Sequence, residues 1–398
     1  MDKQFTLYIS HLDATEEGSA KLDLPAGPYA IRDALEKARV KEDDLLLLEM
    51  ESCRCEELET WFGMRQSGMD QLPDIYWLNA LAGQMEKMDT WNVEAFGGAI
   101  RIEAAKELDL PLERLYDIAG SLHLYNFAAG VTNDAKLGRF FVENEFIPET
   151  EELPESVLKL LDYGKIGREM REAEGGVFIE SFHGYLVQGS DIPELHAELD
   201  VKPREPDYAV LLDVGYPECG DEEQLKLPAS EEALNEYLRK IGAQSWDYLA
   251  WRCADCKIPA MADAFSTCES VAEMNEAAKK LDALSGAELL TCKAMAEIIG
   301  FQDLQDAVAL MDVAEDYVLT PSYTSPIDVG KDRIRTAMDK SEAELIMPYV
   351  SLYSYGEKVM ETYNMKLTDY GVLERADGQP IPGQVEQNAP ERGGMEMA

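Results

Sequence analysis

Alternating apolar and polar residues lead twice into the same turn. Leu22-Asp23-Leu24-Pro25-Ala26 runs into an amphipathic stretch over residues 31–40, and Leu225-Lys226-Leu227-Pro228-Ala229 runs into another over 231–241. Apolar positions three and four apart predict a helix in each stretch. Ser230, followed by two glutamates, is an N-cap signal for the second. Residues 5–9 and 208–212 read as opening strands, and residues 45–50 and 248–252 as one further strand each. Helical periodicity continues over 77–87, 93–107 and 112–125, and again over 271–283, 286–299 and 304–317. Each half closes on a helix and a strand, 165–172 with 184–187 and 355–363 with 371–373. Strands at both ends with helices between them predict α+β layers and not alternating βαβ units.

The repetition extends to individual residues. Leu78-Asn79-Ala80-Leu81-Ala82 matches Met274-Asn275-Glu276-Ala277-Ala278 at an offset of 196, and Leu137-Gly138 matches Val329-Gly330 at 192. Tyr163-Gly164-Lys165-Ile166-Gly167 matches Leu352-Tyr353-Ser354-Tyr355-Gly356 at 189, and Gly184-Tyr185-Leu186 matches Gly371-Val372-Leu373 at 187. The offset falls steadily from the 203 of the Pro-Ala turn, as small insertions in the first copy require, whereas chance matches scatter. The expected organisation is therefore a module over 1–188 (about 1–65 α/β, 66–120 helical, 121–188 α/β), a linker over 189–206 and a second module over 207–375. The Gly- and Pro-rich residues 376–398 are expected to form a disordered tail.

Charge sharpens this picture. The 398 residues hold 78 Asp and Glu against 36 Lys and Arg, a net charge of -42, while 46% of residues are hydrophobic, enough for folded cores. Every 50-residue block carries a net charge between -3 and -8, so no acidic tail holds the excess. Such a chain repels phosphate backbones and anionic membrane surfaces, so direct nucleic-acid and membrane binding are excluded. The residues after Met1 lack a basic stretch leading into an apolar one, so no signal peptide is expected. Nor does any apolar run reach membrane-spanning length. Seven cysteines, an odd number, fit reduced thiols in a cytoplasm.

Catalytic signatures are absent: no nucleophile elbow, zinc-protease motif, phosphate loop or dinucleotide fingerprint. The histidines (His11, His123, His183 and His196) all fall in the first half, so no histidine mechanism is shared by the copies. Cys253-x-x-Cys256 is half of a zinc site whose other candidates, Cys268 and Cys292, lack standard spacing; Cys53 and Cys55 form a matching pair. These read better as small buried thiols. The aromatic residues Tyr76, Trp77, Trp91, Trp246, Tyr248 and Trp251 lack the basic neighbours of a base-stacking platform and are expected to pack in cores or interfaces. No enzyme, cofactor or metal is expected.

The acids themselves are the candidate functional groups. In the first copy they are Asp43, Asp44, Glu49, Glu51, Glu56, Glu57, Glu59, Glu143, Glu145, Glu149, Glu151, Glu152 and Glu155. In the second they are Glu222, Glu223, Glu231, Glu232, Asp303, Asp306, Asp312, Glu315 and Asp316. Like charges three and four apart on a helix face cost a few tenths of a kcal/mol each. Tolerating that repeatedly points to solubility in salt or to a strongly basic partner. Duplex DNA carries about one charge per 1.7 Å of axis, so 42 charges correspond to about 70 Å, or about 20 base pairs.

The repeated unit resembles the ArdA antirestriction proteins. The resemblance rests on Leu7-Tyr8-Ile9, the Leu24-Pro25-Ala26 turn, the Leu78–Ala82 stretch and the helix over 112–125. It rests also on Leu153-Pro154-Glu155, Leu161-Asp162-Tyr163-Gly164-Lys165-Ile166-Gly167-Arg168 and Gly184-Tyr185-Leu186-Val187. It covers residues 4–188 well and 207–375 more loosely, and Leu48-Glu49-Met50-Glu51 is a loose candidate for the family's short antirestriction motif. The resemblance implies an elongated tandem of small α/β and helical subdomains without catalytic residues. It implies an acidic mimic of DNA, carried on phages or conjugative elements, that occupies the DNA groove of type I restriction-modification enzymes. Its targets would be the methyltransferase core with its specificity subunit. The family's homodimer would become a homodimer or an intrachain pseudo-dimer. The alternative is an acidic interaction or scaffold protein of a mobile element that binds a basic partner through its Trp and Tyr surfaces.

Overall fold

The computed structural model describes residues 2–12, 18–41, 43–65, 70–106, 110–150, 153–217 and 222–383. Along the chain these begin with strands β1 (Phe5–His11) and β2 (Ser19–Leu24), helix α1 (Pro28–Lys37), β3 (Leu46–Glu51) and α2 (Glu56–Met64). Helices α3 (Leu72–Met85), α4 (Thr90–Ala104) and α5 (Leu112–Gly120) follow, then β4 (Tyr125–Ala129). The first repeat closes with α6 (Asp134–Glu143), α7 (Glu155–Leu158), α8 (Tyr163–Glu174), β5 (Val177–Ile179) and β6 (Gly184–Gln188). The second repeat runs β7 (Val210–Gly215), β8 (Glu222–Leu227), α9 (Glu231–Ile241), β9 (Ala250–Cys256), α10 (Ala262–Thr267), α11 (Val271–Ala283), α12 (Gly286–Ile298) and α13 (Leu304–Asp312). It ends with β10 (Tyr317–Thr320), α14 (Pro326–Ala337), α15 (Lys340–Ile346), α16 (Leu352–Thr362), β11 (Lys366–Thr368) and β12 (Gly371–Arg375).

The fold is mixed α+β. Among the described residues four three-stranded sheets have orders β2-β1-β3, β4-β6-β5, β8-β7-β9 and β10-β12-β11, so the element order of the first repeat recurs in the second. Pairing within them is antiparallel, for example Tyr8 opposite Glu49 in β1/β3 and Leu319 opposite Leu373 in β10/β12. The matched asparagines acquire a physical reason. Asn79 accepts the Ala26 N–H at 2.7 Å and donates to the Ala26 carbonyl at 3.1 Å, and Asn275 does the same for Ala229, at 2.8 Å each way. The matched glycines mark helix crossings. A Cβ on Gly167 would overlap the Asp134 carbonyl where α8 crosses α6, and one on Gly356 would overlap the Pro326 carbonyl where α16 crosses α14.

Two compact units divide the described chain. Unit 1 consists of Met1–Leu12, Lys21–Ala26 and Lys41–Pro203, and unit 2 of Asp13–Ala20, Gly27–Val40 and Arg204–Ala398. In unit 1, α4 is apolar around most of its circumference and is buried from Phe96 to Ile100, with Gly98 pressed close to Ile179 and Leu186 of the β4-β6-β5 sheet. In unit 2 the β8-β7-β9 sheet, α11, α12 and α13 share one core around Phe265, Met274, Ala278, Leu281 and Met295.

Three segments depart from the organisation expected of the repeats. Helix α1, encoded in the first repeat, belongs to unit 2. Residues 189–206 are more than a linker. Ile192 is buried, a 3-10 turn spans Leu195–Glu198, and His196 donates its N–H to Asp117 at 2.8 Å with its Nδ1 2.7 Å from the same carboxylate. The expected tail begins later than Ala376. The Ala376 N–H reaches the Asp316 carbonyl at 2.8 Å, Arg375 holds Asp377 and Ile381 is buried, while residues 384–398 lie outside the described residues. Polar ends hid these segments, because single apolar anchors carry no periodicity.

Among the described residues no helix is long and apolar enough to cross a membrane.

Candidate partner-binding surface

The candidate acids fall at three kinds of local position. The first is the start of a helix, where unsatisfied backbone N–H groups and the dipole favour negative charge. Asp303 caps α13 by accepting the Asp306 N–H at 2.9 Å, and Asp306 accepts the Gln302 N–H at 3.3 Å. Glu56, Glu57 and Glu59 occupy the first turn of α2, whose cap position, Cys55, gives no side-chain bond, and Glu59 accepts the Cys53 N–H at 3.2 Å. Glu231 and Glu232 open α9 behind the Ser230 cap, and hydrogen bonding to its own backbone N–H and to Ser230 holds the Glu232 carboxyl below the usual value.

The second position is an ion pair. Glu57 lies 3.6 Å from Arg101, Glu155 2.6 Å from Lys159, Glu222 3.7 Å from Arg252 and Asp312 2.6 Å from Lys280, and Glu223 pairs with Lys240. Glu51 accepts from the Tyr8 hydroxyl at 3.1 Å beside Lys21, and Asp44 accepts the Lys41 N–H at 2.8 Å beside His11.

The third position is open surface. Asp43, Glu49, Glu56, Glu143, Glu145, Glu149, Glu231, Glu315 and Asp316 are all exposed. None of these nine makes an ion pair among the described residues. Within unit 1, Glu143, Glu145, Glu149 and Glu155 follow one another from the end of α6 into α7. Within unit 2, Asp312, Glu315 and Asp316 do so from the end of α13. Glu151 and Glu152 lie outside the described residues.

The sequence pattern did not single out five buried acids: Asp33, Asp70, Glu103, Asp117 and Asp255. Each is consumed internally. Asp33 meets Lys293 at 2.8 Å and the Tyr370 hydroxyl at 2.8 Å, Asp70 meets Arg65 at 3.2 Å, and Glu103 meets Lys106 at 2.6 Å and Arg114 at 3.3 Å. The i,i+4 pair Asp33–Lys37 and the i,i+3 pair Glu103–Lys106 were local clues; Arg65 and Arg114 lie five and eleven residues from Asp70 and Glu103, beyond one helical turn, and Lys293, Tyr370 and His196 are distant in sequence. The surface thus keeps its negative excess, while buried carboxylates have partners close by.

The thiols behave as packing groups. Burial pushes Cys53 up to about 11 and Cys55 and Cys292 up to about 12, and it raises Cys256 as well, so these sulfurs stay protonated at neutral pH. Among the described residues no group of three or more His, Cys, Asp or Glu side chains converges as metal ligands do.

Most of the aromatic candidates are used internally. Trp77 packs on Tyr116 and His196, Trp91 on Phe127 and Phe182, and Trp246 stacks on Tyr237, while the Trp251 indole donates to the Cys268 carbonyl at 3.0 Å. Tyr248, in contrast, is 62% exposed.

No family model matches the chain, and no curated protein or solved structure matches it.

Proposed function

We propose that this protein is a non-enzymatic DNA mimic that blocks a type I restriction-modification complex by occupying the DNA groove of its methyltransferase core and specificity subunit. One observation carries this reading: an excess of 42 negative charges spread over both repeats, with the open-surface acids drawn from many elements and the buried acids paired internally. Solubility alone does not require so even a distribution. The target residues would be Arg and Lys that ordinarily hold phosphates, and carboxylates would displace counterions as phosphates do. No step of bond chemistry is involved. The internal use of four tryptophans argues against a scaffold that binds through its Trp surfaces.

Competition is the test. Binding to a purified type I methyltransferase is followed across a salt series with and without duplex DNA carrying its recognition site. The expected result is affinity that falls steeply with salt and is abolished by saturating duplex. A partner that remains bound under saturating DNA overturns the reading.

A further inference from the structure

The two repeats differ most sharply where their helix pairs α3/α5 and α11/α13 meet. In unit 1 the space is filled by rings: Trp77 of α3 lies 5.9 Å from Tyr116 of α5, with His196 6.3 Å from Trp77. Gln84 fixes the Tyr116 hydroxyl with a 3.0 Å hydrogen bond. The register between the repeats is set by Asn79 and Asn275, which bond the same turn, and by Leu112 and Leu304, which open α5 and α13. In that register Trp77 corresponds to Glu273, Tyr116 to Val308 and Gln84 to Lys280.

Two rings are thus replaced by a carboxylate and a short branched side chain. What remains in unit 2 is an open groove of about 390 Å³, floored by Ala277, Leu304 and Val308 and rimmed by Glu273 and Glu276. The lining cation, Lys280, is held by Asp312 at 2.6 Å. Glu273, Glu269 and Asp303 all stand close enough to Cys268 to add to the effect of burial in raising its thiol. Lys279 holds the rim carboxylate Glu276 at 2.7 Å, so Glu273 is the rim acid without an ion pair among the described residues, with Glu269 and Asp303 beside it around Cys268.

We propose that this groove receives an aromatic side chain flanked by Lys or Arg, presented by the DNA-binding partner of the preceding reading, on which this inference rests. The shape argument is internal: the same helix pair in unit 1 closes around aromatic rings. The charge argument selects the flanks, because Glu273, with Glu269 and Asp303 nearby, attracts cations and repels an acidic segment. Charge spread over the surface steers the encounter. A buried ring at one place slows departure, the usual role of an aromatic anchor in an interface.

The probe is the blocked peptide Lys-Lys-Trp-Lys-Lys carrying 5-fluorotryptophan, with Lys-Lys-Ala-Lys-Lys as control, titrated onto the full chain in 0.3 M NaCl. The readouts are ¹⁹F NMR for the first and competition against it for the second. The expected result is at least tenfold tighter binding of the tryptophan peptide. The double variant Glu273→Trp/Val308→Tyr, which rebuilds the rings of unit 1, should abolish that preference and leave binding of the alanine peptide within about twofold once its one lost charge is matched by Glu273→Gln. Should the double variant unfold, Val308→Phe alone fills the floor and is expected to reduce the preference at least threefold. Equal binding of the two peptides, or a preference that survives in the filled variants, overturns the proposal. A wild-type protein that competes with DNA yet shows no peptide preference refutes the groove alone. A wild-type protein that does not compete with DNA refutes the underlying reading.

Discussion

The carboxylate of Asp255 accepts the backbone N–H of Tyr29, 226 residues away in sequence, at 3.1 Å, and that of Ala30 at 3.3 Å. Helix α1 begins after Gly27, which offers no side-chain cap, so a residue of β9 supplies the missing acceptor. The Tyr208 hydroxyl donates to the same carboxylate at 2.9 Å. Asp255→Ala leaves these donors unsatisfied in a buried place and is expected to cost about 1–3 kcal/mol of unit 2 stability. Urea unfolding followed by circular dichroism measures this, and a loss near zero would show that water replaces the cap.

The second prediction concerns Lys293, which is 3% exposed and bridges Asp33 at 2.8 Å and Glu36 at 2.6 Å. Lys293→Ala leaves the buried Asp33 with only Lys37, 3.1 Å away, and the Tyr370 hydroxyl as partners, a change expected to destabilise by at most about 3–5 kcal/mol. Thermal unfolding of the variant is the measurement.

The same cluster predicts a pH dependence. Burial disfavours the Asp33 carboxylate, but Lys293, Lys37 and the Tyr370 hydroxyl outweigh it and hold its pKa below the ordinary 3.8. A carboxyl depressed on folding contributes stability in full above its unfolded value and loses it as pH falls through the folded value. The stability gap between wild type and Asp33→Asn should therefore be constant above about pH 5 and close in stronger acid. A gap unchanged at pH 2 to 3 would contradict the ion-pair account.

Close helix crossings give a steric prediction. Gly167→Ala and Gly356→Ala place a methyl group against a backbone carbonyl, which cannot rotate away as a side chain can. Each should destabilise its helix pair by more than about 2 kcal/mol, whereas Gly63→Ala, in open space within α2, should be neutral or stabilising. Proteolysis of the variants under native conditions reports which pair has loosened.

Distributed mimicry predicts graded loss. Replacing Glu145 alone by Gln should change inhibition of a methyltransferase less than twofold. Replacing Glu143, Glu145, Glu149 and Glu155 together should weaken it at least tenfold at 0.1 M salt and flatten the salt dependence. Abolition by one neutralisation would point instead to a localised contact.

Most of the elements were legible because their causes are local. Residues 231–241 read as a helix from Ser230 and the apolar spacing, and the structure places it at Glu231–Ile241. The helix read over 112–125 stops at Gly120, because Tyr125 turns into β4 and pairs with Gln188. A short strand that starts on the last apolar residue of a helical pattern has no signature of its own. Strands β5 and β11, three residues each, are too short to show an alternation and were missed. Most of the described candidate acids are exposed, while Asp44, Glu57 and Glu223 are half-buried. The capping of Tyr29 by Asp255 and the contacts of Asp33 with Lys293 and Tyr370 were not legible, because those partners lie hundreds of residues away.

Helix α1 has a consequence for how the protein is made. At ordinary synthesis rates the 226 residues between Tyr29 and Asp255 take about 10–45 s to emerge. For that interval Tyr29, Ile31 and Ala34 have left the ribosome while the core that buries them has not yet been made. Unit 2 therefore cannot be produced by starting the chain at its own repeat. A gene truncated to residues 204–398 encodes a Lys293 with neither Asp33 nor Glu36 to meet it, so the second repeat borrows a helix from the first to complete its core.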